Sequence, residues 1–387
     1  MKITKVTAWD VDYGVTLNVN QHPCIIRIDT DEGISGAGEI GLAYGDGNRG
    51  AIQTVLQLAE RHLLGRDARR IGAIWDHLYR NTFWGQSPGP VLYGAISAID
   101  NALWDIKGKA LGVPVWQLLG GRLRDDIRLY ANGWFTKMAK PEQAAERVLQ
   151  IQAEGYTAAK LDPFEMDRDG NFRFPHRHIP RSWALLAVDR VRAIREAAGP
   201  DFDICLDLHG NLGTTDAITY GRLLAESRPF FYEEPVDPGN VDSMVKVGRE
   251  VPIPLAGGER LYTRYQFRPF IESQALDILQ PDIGLCGGIS EMMKIAAMAE
   301  VYNLHVQPHN CGGPVATAAA VHAVFAMPNF IILEWFPYWP DGRYGIVQEA
   351  YEQKAKGGRL ACPTAPGLGV ELDDGYLQRF QTGNSTR

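Results

Sequence analysis

A regular placement of acids and histidines limits what this 387-residue chain can fold into more than any local motif does. Asp207, Glu233, Glu259, Asp282, His309 and Glu334 follow one another at intervals of 26, 26, 23, 27 and 25 residues. Each stands in or at the end of a short β-rich segment: DICLDLHG, PFFYEEP, IPLAGGE, DILQPDIG, HVQPHN and IILEWF. Helical segments lie between them, and RLYANGW and AAKLDPF precede them, which makes eight strands alternating with helices. A closed parallel barrel spreads about 250 residues over eight such units, roughly 30 each. The spacing therefore predicts one height for all six residues on successive strands. They form a ring at the C-terminal mouth, where barrel enzymes keep their chemistry.

The length exceeds what one small core holds, so a second unit is expected beside the barrel. Residues 1–125 read as α+β. KITKVTAWDV and PCIIRIDTDEG alternate like antiparallel strands, with DEG as a turn. AIQTVLQLAERHLLG and the stretch Gly94–Leu119 have helical spacing. The barrel is expected over 126–350, and 351–387 forms a C-terminal segment. One interval is long: Lys160 to Asp207 takes 47 residues, with the excess in EMDRDGNFRFPHRHIPRS, residues 165–182. This insertion either lies on the surface or reaches over the mouth.

Charge and cysteine usage exclude several classes. Lys and Arg total 39 against 46 Asp and Glu, a net charge of −7, which disfavours nucleic acid or an anionic membrane as a partner. Five cysteines without a CxxC pair disfavour a disulfide scaffold or a zinc ribbon and suit a reducing cytoplasm. The N-terminal MKITKVTAWDVDYG lacks an apolar signal core, and no later run is long and apolar enough to span a bilayer. A cytoplasmic protein acting on a small molecule is expected.

Asp207, Glu233 and Glu259 would repel one another if they converged without a cation. A hard divalent ion resolves this, and three carboxylates with room for water or substrate suit Mg²⁺. Within ICLDLHGN, strict alternation places Asp207 and His209 on one face of a strand, opposite Leu206 and Leu208. Glu234 points away from Glu233 and reads as a supporting residue, and Arg260 as a partner for a ligand. Asp282 and His309 are on consecutive strands. A carboxylate behind an imidazole orients it and raises its basicity, so His309 reads as a general base.

SAIDNALWDIKGKALGVPVWQLLGG, DLHGN, YEEP, AGGER, ILQPDIGLCGGISE and QPHN together resemble the enolase superfamily in its mandelate racemase subgroup. The nearest likeness is the galactonate dehydratase type of acid-sugar dehydratases. This resemblance covers nearly the whole chain. It implies a modified TIM barrel, (β/α)₇β, with an N-terminal α+β capping domain that the C-terminal tail completes. It implies Mg²⁺ on Asp207, Glu233 and Glu259, an Asp282–His309 dyad, and His209 as the general acid. Glu334 then corresponds to a glutamate that donates to the substrate carboxylate. The implied reaction is dehydration of an aldonate or aldarate to a 2-keto-3-deoxy acid. The implied assembly is a homo-oligomer, from dimer to octamer.

The chain departs from many relatives at AAKLDPF, where Lys-x-Lys is common and the second lysine acts as a base. Here the pair is Lys160 and Asp162, which weakens a racemase reading. Lys160 stabilises charge near the substrate carboxylate. Asp162 either contacts a substrate hydroxyl or pairs with Lys160. Substrate choice is expected from the cap loops, with His22, Tyr44, Arg49 and Trp84 as contacts. The rivals are an epimerase or cycloisomerase on the same site, a Schiff-base aldolase using Lys160, and a non-catalytic sensor that keeps the fold.

Overall fold

The computed structural model describes residues 1–12, 22–42, 47–136, 138–167, 169–173, 175–339 and 341–386. The N-terminal part begins with strands β1 (Ile3–Val11), β2 (Cys24–Thr30) and β3 (Ser35–Ile40), paired antiparallel in that order. The DEG turn joins β2 to β3, with Gly33 at φ 75°. Val6, Ala8, Ile26, Ile28 and Ile40 form a core with the helices Asn48–Leu58, Ile71–Asn81 and Pro90–Leu111.

Strand β3 escapes the sequence pattern because it is SGAGEI. A β-carbon at Gly38 would stand 2.0 Å from the Ala98 carbonyl oxygen, so glycine is what lets the long helix lie directly on this strand. Pro90 opens that helix and Gly112, at φ 68°, ends it. Apolar residues surround it almost completely, because it is held between the cap sheet and the barrel.

The second part is a parallel barrel. Its strands are β4 (Asp126–Ala131), β5 (Ala158–Leu161), β6 (Asp203–Asp207), β7 (Phe231–Glu233), β8 (Leu255–Gly257), β9 (Ile278–Leu279), β10 (His305–Val306) and β11 (Leu333–Trp335). Neighbours in sequence are neighbours in the sheet, and β11 pairs with β4. Closure comes between β10 and the residues entering β11, where Ile331 N–H donates to the Val306 carbonyl at 3.2 Å. Seven helices fill the crossovers: Pro141–Ala153, Arg181–Ala198, Thr214–Leu224, Val241–Glu250, Thr263–Glu272, Gly288–Val301 and Pro314–Phe325. This is the (β/α)₇β modification of the TIM barrel beside an α+β cap.

The tail crosses both parts. Strand β12 (Arg359–Ala361) runs antiparallel to Asp126–Arg128 of β4, and β13 (Gln381–Thr386) adds to the cap sheet beside β1. The cap also docks through side-chain oxygens placed at helix starts. Asp100 accepts from Ser290 N–H at 2.9 Å and Asn101 from Ile289 N–H at 3.0 Å, capping the helix that follows β9. Glu39, at the end of β3, accepts from Gly313 N–H and from Ala316 N–H, the latter at 3.0 Å, capping the helix that follows β10. Both satisfy N–H groups that a helix start leaves without partners. No helix among the described residues is long and apolar enough to cross a membrane. All five cysteines are free.

Candidate active site

The polar ring occupies the C-terminal mouth. Asp207 and Glu233 are register partners at the ends of β6 and β7. Glu259 is not level by strand register, because Glu233 pairs with Ala256. It comes back toward the others through Gly258, at φ 134°, where a β-carbon would stand 2.6 Å from the Phe267 ring. One oxygen from each of Asp207, Glu233 and Glu259 lies within 4.8 Å of the other two. Three buried or half-buried oxygen donors at this spacing fit a hard divalent cation.

The local charges support that fit. Burial and the Asp207 carboxylate push Glu233 well above the ordinary carboxylate range. Asp207 itself is depressed, because His209 and Lys160 outweigh the opposing effect of burial. Lys160, buried on β5, is a cation within the cluster. Its Nζ lies 3.0 Å from Asp207, 3.0 Å from Glu233 and 2.9 Å from Glu334. Burial alone would lower its pKa, but those three carboxylates raise it well above the usual value. An ammonium held this way is no Schiff-base nucleophile.

Two imidazoles flank the cluster. His309 presents Nδ1 to Asp282 Oδ2 at 2.7 Å, while its Nε2 faces Glu259 at 3.3 Å. Asp282 and His309 each stand three residues beyond the paired Leu279 and Val306, which accounts for their meeting. His209, at the Asp207 end, presents Nδ1 to Asp162 Oδ2 at 2.9 Å and lies 3.5 Å from Asp207 through Nε2. Both rings would lose basicity by burial. Carboxylates reverse this, chiefly Glu259 for His309 and Asp207 for His209.

The pleat is not what places His209. Strand β6 stops at Asp207, and His209 has φ 50° in the left-handed region. Its backbone N–H donates to Asp207 Oδ1 at 3.0 Å. A turn, not alternation, brings it to the cavity. Asp162 does not pair with Lys160: it accepts from Phe164 N–H at 2.8 Å and engages His209.

Glu334 accepts from Asn132 Nδ2 at 2.7 Å and Asn310 N–H at 2.8 Å, besides Lys160. Burial would raise its pKa, yet Lys160 and His309 hold it below the ordinary value. It stands here as an ionised acceptor. Glu234 pairs with Arg260, whose Nε lies 3.0 Å away. Burial and Glu259 push Glu234 up to about 7.

Two of the expected cap contacts gather at one carboxylate of the cap. His22 Nδ1 lies 3.2 Å from Asp10, and Arg49 Nε 3.5 Å from the same carboxylate. Trp84 is largely exposed and packs edge-on against Phe83. Tyr44 lies outside the described residues. The insertion runs beside the loop after β6: Arg177 N–H donates to the Asn211 carbonyl at 2.8 Å. It thus backs the His209 side of the mouth.

Several site residues escaped sequence reasoning. Gln280 Nε2 lies 2.8 Å from Glu233 Oε2 and 2.6 Å from Gln307 Oε1. The signal was present in the paired spellings QPD and QPH, which put a glutamine two residues before each dyad member. Glu165, in the insertion, is raised well above its usual pKa by burial and by Asp162, with His209 and Asp207 also in its field. Arg343 donates to the carbonyls of Cys311 and Gly312, just after His309. Nothing in the local sequence marked either.

Known families match this architecture. A model described as the enolase C-terminal domain-like family matches residues 143–376. The mandelate racemase / muconate lactonizing enzyme N-terminal domain matches residues 4–120. A D-galactonate dehydratase of Ralstonia nicotianae is 35% identical over 382 residues, covering 97% of this chain and 94% of that protein. One of Verminephrobacter eiseniae is 36% identical with the same coverage. Among solved structures, a member of the enolase superfamily from Salmonella Typhimurium superposes with TM-score 0.93 at 41% identity, over 100% of this chain and 99% of that one. A mandelate racemase/muconate lactonizing enzyme from Sulfitobacter sp. gives 0.89 at 33% identity, over 99% and 96%.

Proposed function

This chain belongs to the mandelate racemase / muconate lactonizing enzyme family of the enolase superfamily, and from that premise we propose that it dehydrates a sugar acid, an aldonate or aldarate, to a 2-keto-3-deoxy acid. The observation that carries the reading is the pair of imidazoles, each backed by its own carboxylate, at the two ends of one three-carboxylate cluster. Elimination needs a base at the α-carbon and an acid at the β-oxygen, and these are different tasks.

In this reading Asp207, Glu233 and Glu259 hold Mg²⁺. When bound, the ion supplies Lewis-acid stabilisation of charge gathering on the substrate carboxylate. His309, oriented through Nδ1 by Asp282, takes the α-proton at Nε2. The C–H electron pair moves toward the carboxylate and then forms the Cα–Cβ double bond as the Cβ–O bond breaks. His209, oriented through Nδ1 by Asp162, gives its Nε2 proton to the departing oxygen, which leaves as water. The resulting enol becomes the ketone at C2. Lys160 balances the buried carboxylates from below. Glu334 faces the base, with His309 Nε2 4.0 Å away, and would have to take up a proton before donating to the substrate. Asp162, engaged by His209, occupies the place where a second, opposed base would support racemisation instead.

The test is incubation with Mg²⁺ and a panel of aldonic and aldaric acids, followed by semicarbazide detection of 2-keto acid. Product from one or a few acids, lost in His309→Asn and strongly reduced in His209→Asn, supports the reading. Deuterium exchange at the α-carbon without keto acid in the wild type would move the assignment to epimerisation or cycloisomerisation.

A further inference from the structure

Arg190 lies midway along the helix Arg181–Ala198 and has no exposed surface. Its guanidinium makes no ion pair within 4 Å among the described residues and is directed at main-chain carbonyls. Nε and Nη2 donate to Ala139 at 2.9 and 2.6 Å. Nη1 donates to Pro163 at 3.0 Å and Met166 at 2.8 Å, and Nη2 also to Asp167 at 3.2 Å. A buried guanidinium is costly to keep without a carboxylate in direct contact, so a helix that only had to pack would carry an apolar residue here. The planar fork is suited to binding several acceptors in fixed directions.

The four carbonyls bracket one functional turn. Pro163, Met166 and Asp167 come one, four and five residues after Asp162, and Ala139 belongs to the loop after β4. Asp162 is tied into the same turn by accepting from Phe164 N–H. Its other oxygen holds His209. We propose that Arg190 is a positioning residue for the proton donor: it fixes the turn after β5, and through Asp162 it sets the direction of the His209 ring. His309 has separate supports, Asp282 on its ring and Glu39 and Arg343 on its loop. Loss of Arg190 therefore separates the two half-reactions.

The same helix supplies a matched control. Arg195 also donates to four carbonyls, those of Ser227, Gly199, Phe202 and Arg228. These lie at the opposite end of the barrel, around the entry to β6.

The inference rests on the reading of His209 as the acid, and the experiment separates the two. Crystal structures of Arg190→Lys and Arg190→Met need no substrate. In them the 2.9 Å contact between His209 and Asp162 opens beyond hydrogen-bond range, while the 2.7 Å contact between His309 and Asp282 persists. Lysine keeps the charge and up to three donors, so it should disturb the turn less than methionine and carries the test if methionine does not fold. With the panel acid that the wild type turns over fastest, keto-acid formation falls at least about tenfold and α-deuterium exchange stays within about threefold. Arg195→Lys leaves that ratio unchanged even if it lowers the melting temperature. An unbroken His209–Asp162 contact in both Arg190 variants overturns the positioning role. A broken contact with keto-acid formation unchanged overturns instead the assignment of His209 as acid.

Discussion

His209 presents Nδ1 to Asp162 Oδ2 at 2.9 Å, so the mouth holds a second imidazole–carboxylate dyad facing the one formed by His309 and Asp282. Asp162 stands where many relatives carry a lysine base. Asp162→Asn keeps the size but removes the charge that orients and charges the ring. We expect kcat for dehydration to fall on the order of a hundredfold with KM nearly unchanged, as for loss of a general acid. Steady-state kinetics checks this, and an equal rise in KM would point to Asp162 as a substrate contact instead.

Gln280 fixes one oxygen of Glu233 from within the barrel, and Gln307 fixes Gln280. Outer partners of this kind typically carry about 10- to 100-fold in metal affinity. Calorimetric titration of Gln280→Leu with Mg²⁺ should show weakening in that range. An affinity within about twofold of wild type would mean that Glu233 needs no such support.

Lys160 offsets Asp207, Glu233 and Glu334 together. In Lys160→Met these carboxylates lose their lysine partner, and breaking a buried ion pair costs about 3–5 kcal/mol. The metal-free variant should melt well below metal-free wild type. Added Mg²⁺ should raise its melting temperature by more than it raises that of wild type, because the ion then relieves more repulsion. Equal Mg²⁺ shifts in both proteins would contradict this.

His322 gives a pH dependence far from the mouth. It is fully buried in the helix Pro314–Phe325, and its Nδ1 accepts from Trp116 N–H at 3.2 Å. Burial lowers its pKa to about 4. The unfolded chain, near 6.5, then binds the proton more readily than the folded one. Stability is complete above about pH 6.5 and is lost as pH falls toward 4, by about 3 kcal/mol in all. Melting curves of His322→Gln between pH 7 and 4 should lack this part of the acid loss. Identical pH slopes in both proteins would rule it out.

The period of the ring was legible because strand, loop and helix have narrow length ranges, and it set Asp207 level with Glu233 and Asp282 level with His309. It was less informative where a turn intervenes. Glu259 returns to the cluster through Gly258, and His209 through its own left-handed backbone, neither of which alternation describes. Strand β3 was hidden because close helix packing requires glycines where a strand normally shows branched residues. Arg190, Glu39 and Arg343 were invisible for another reason. Their partners are main-chain groups distant in sequence, and any residue supplies such groups.

The division of labour between the two imidazoles is the centre of the account, and one variant tests it most directly. His209→Asn, with Mg²⁺ and the acid turned over fastest by wild type, is followed in D₂O for α-carbon exchange and for keto acid together. Exchange close to the wild-type rate with keto-acid formation reduced at least about a hundredfold is the predicted result. Loss of exchange and dehydration in equal measure would contradict it, because His209 would then be needed for proton abstraction and could not be the acid alone.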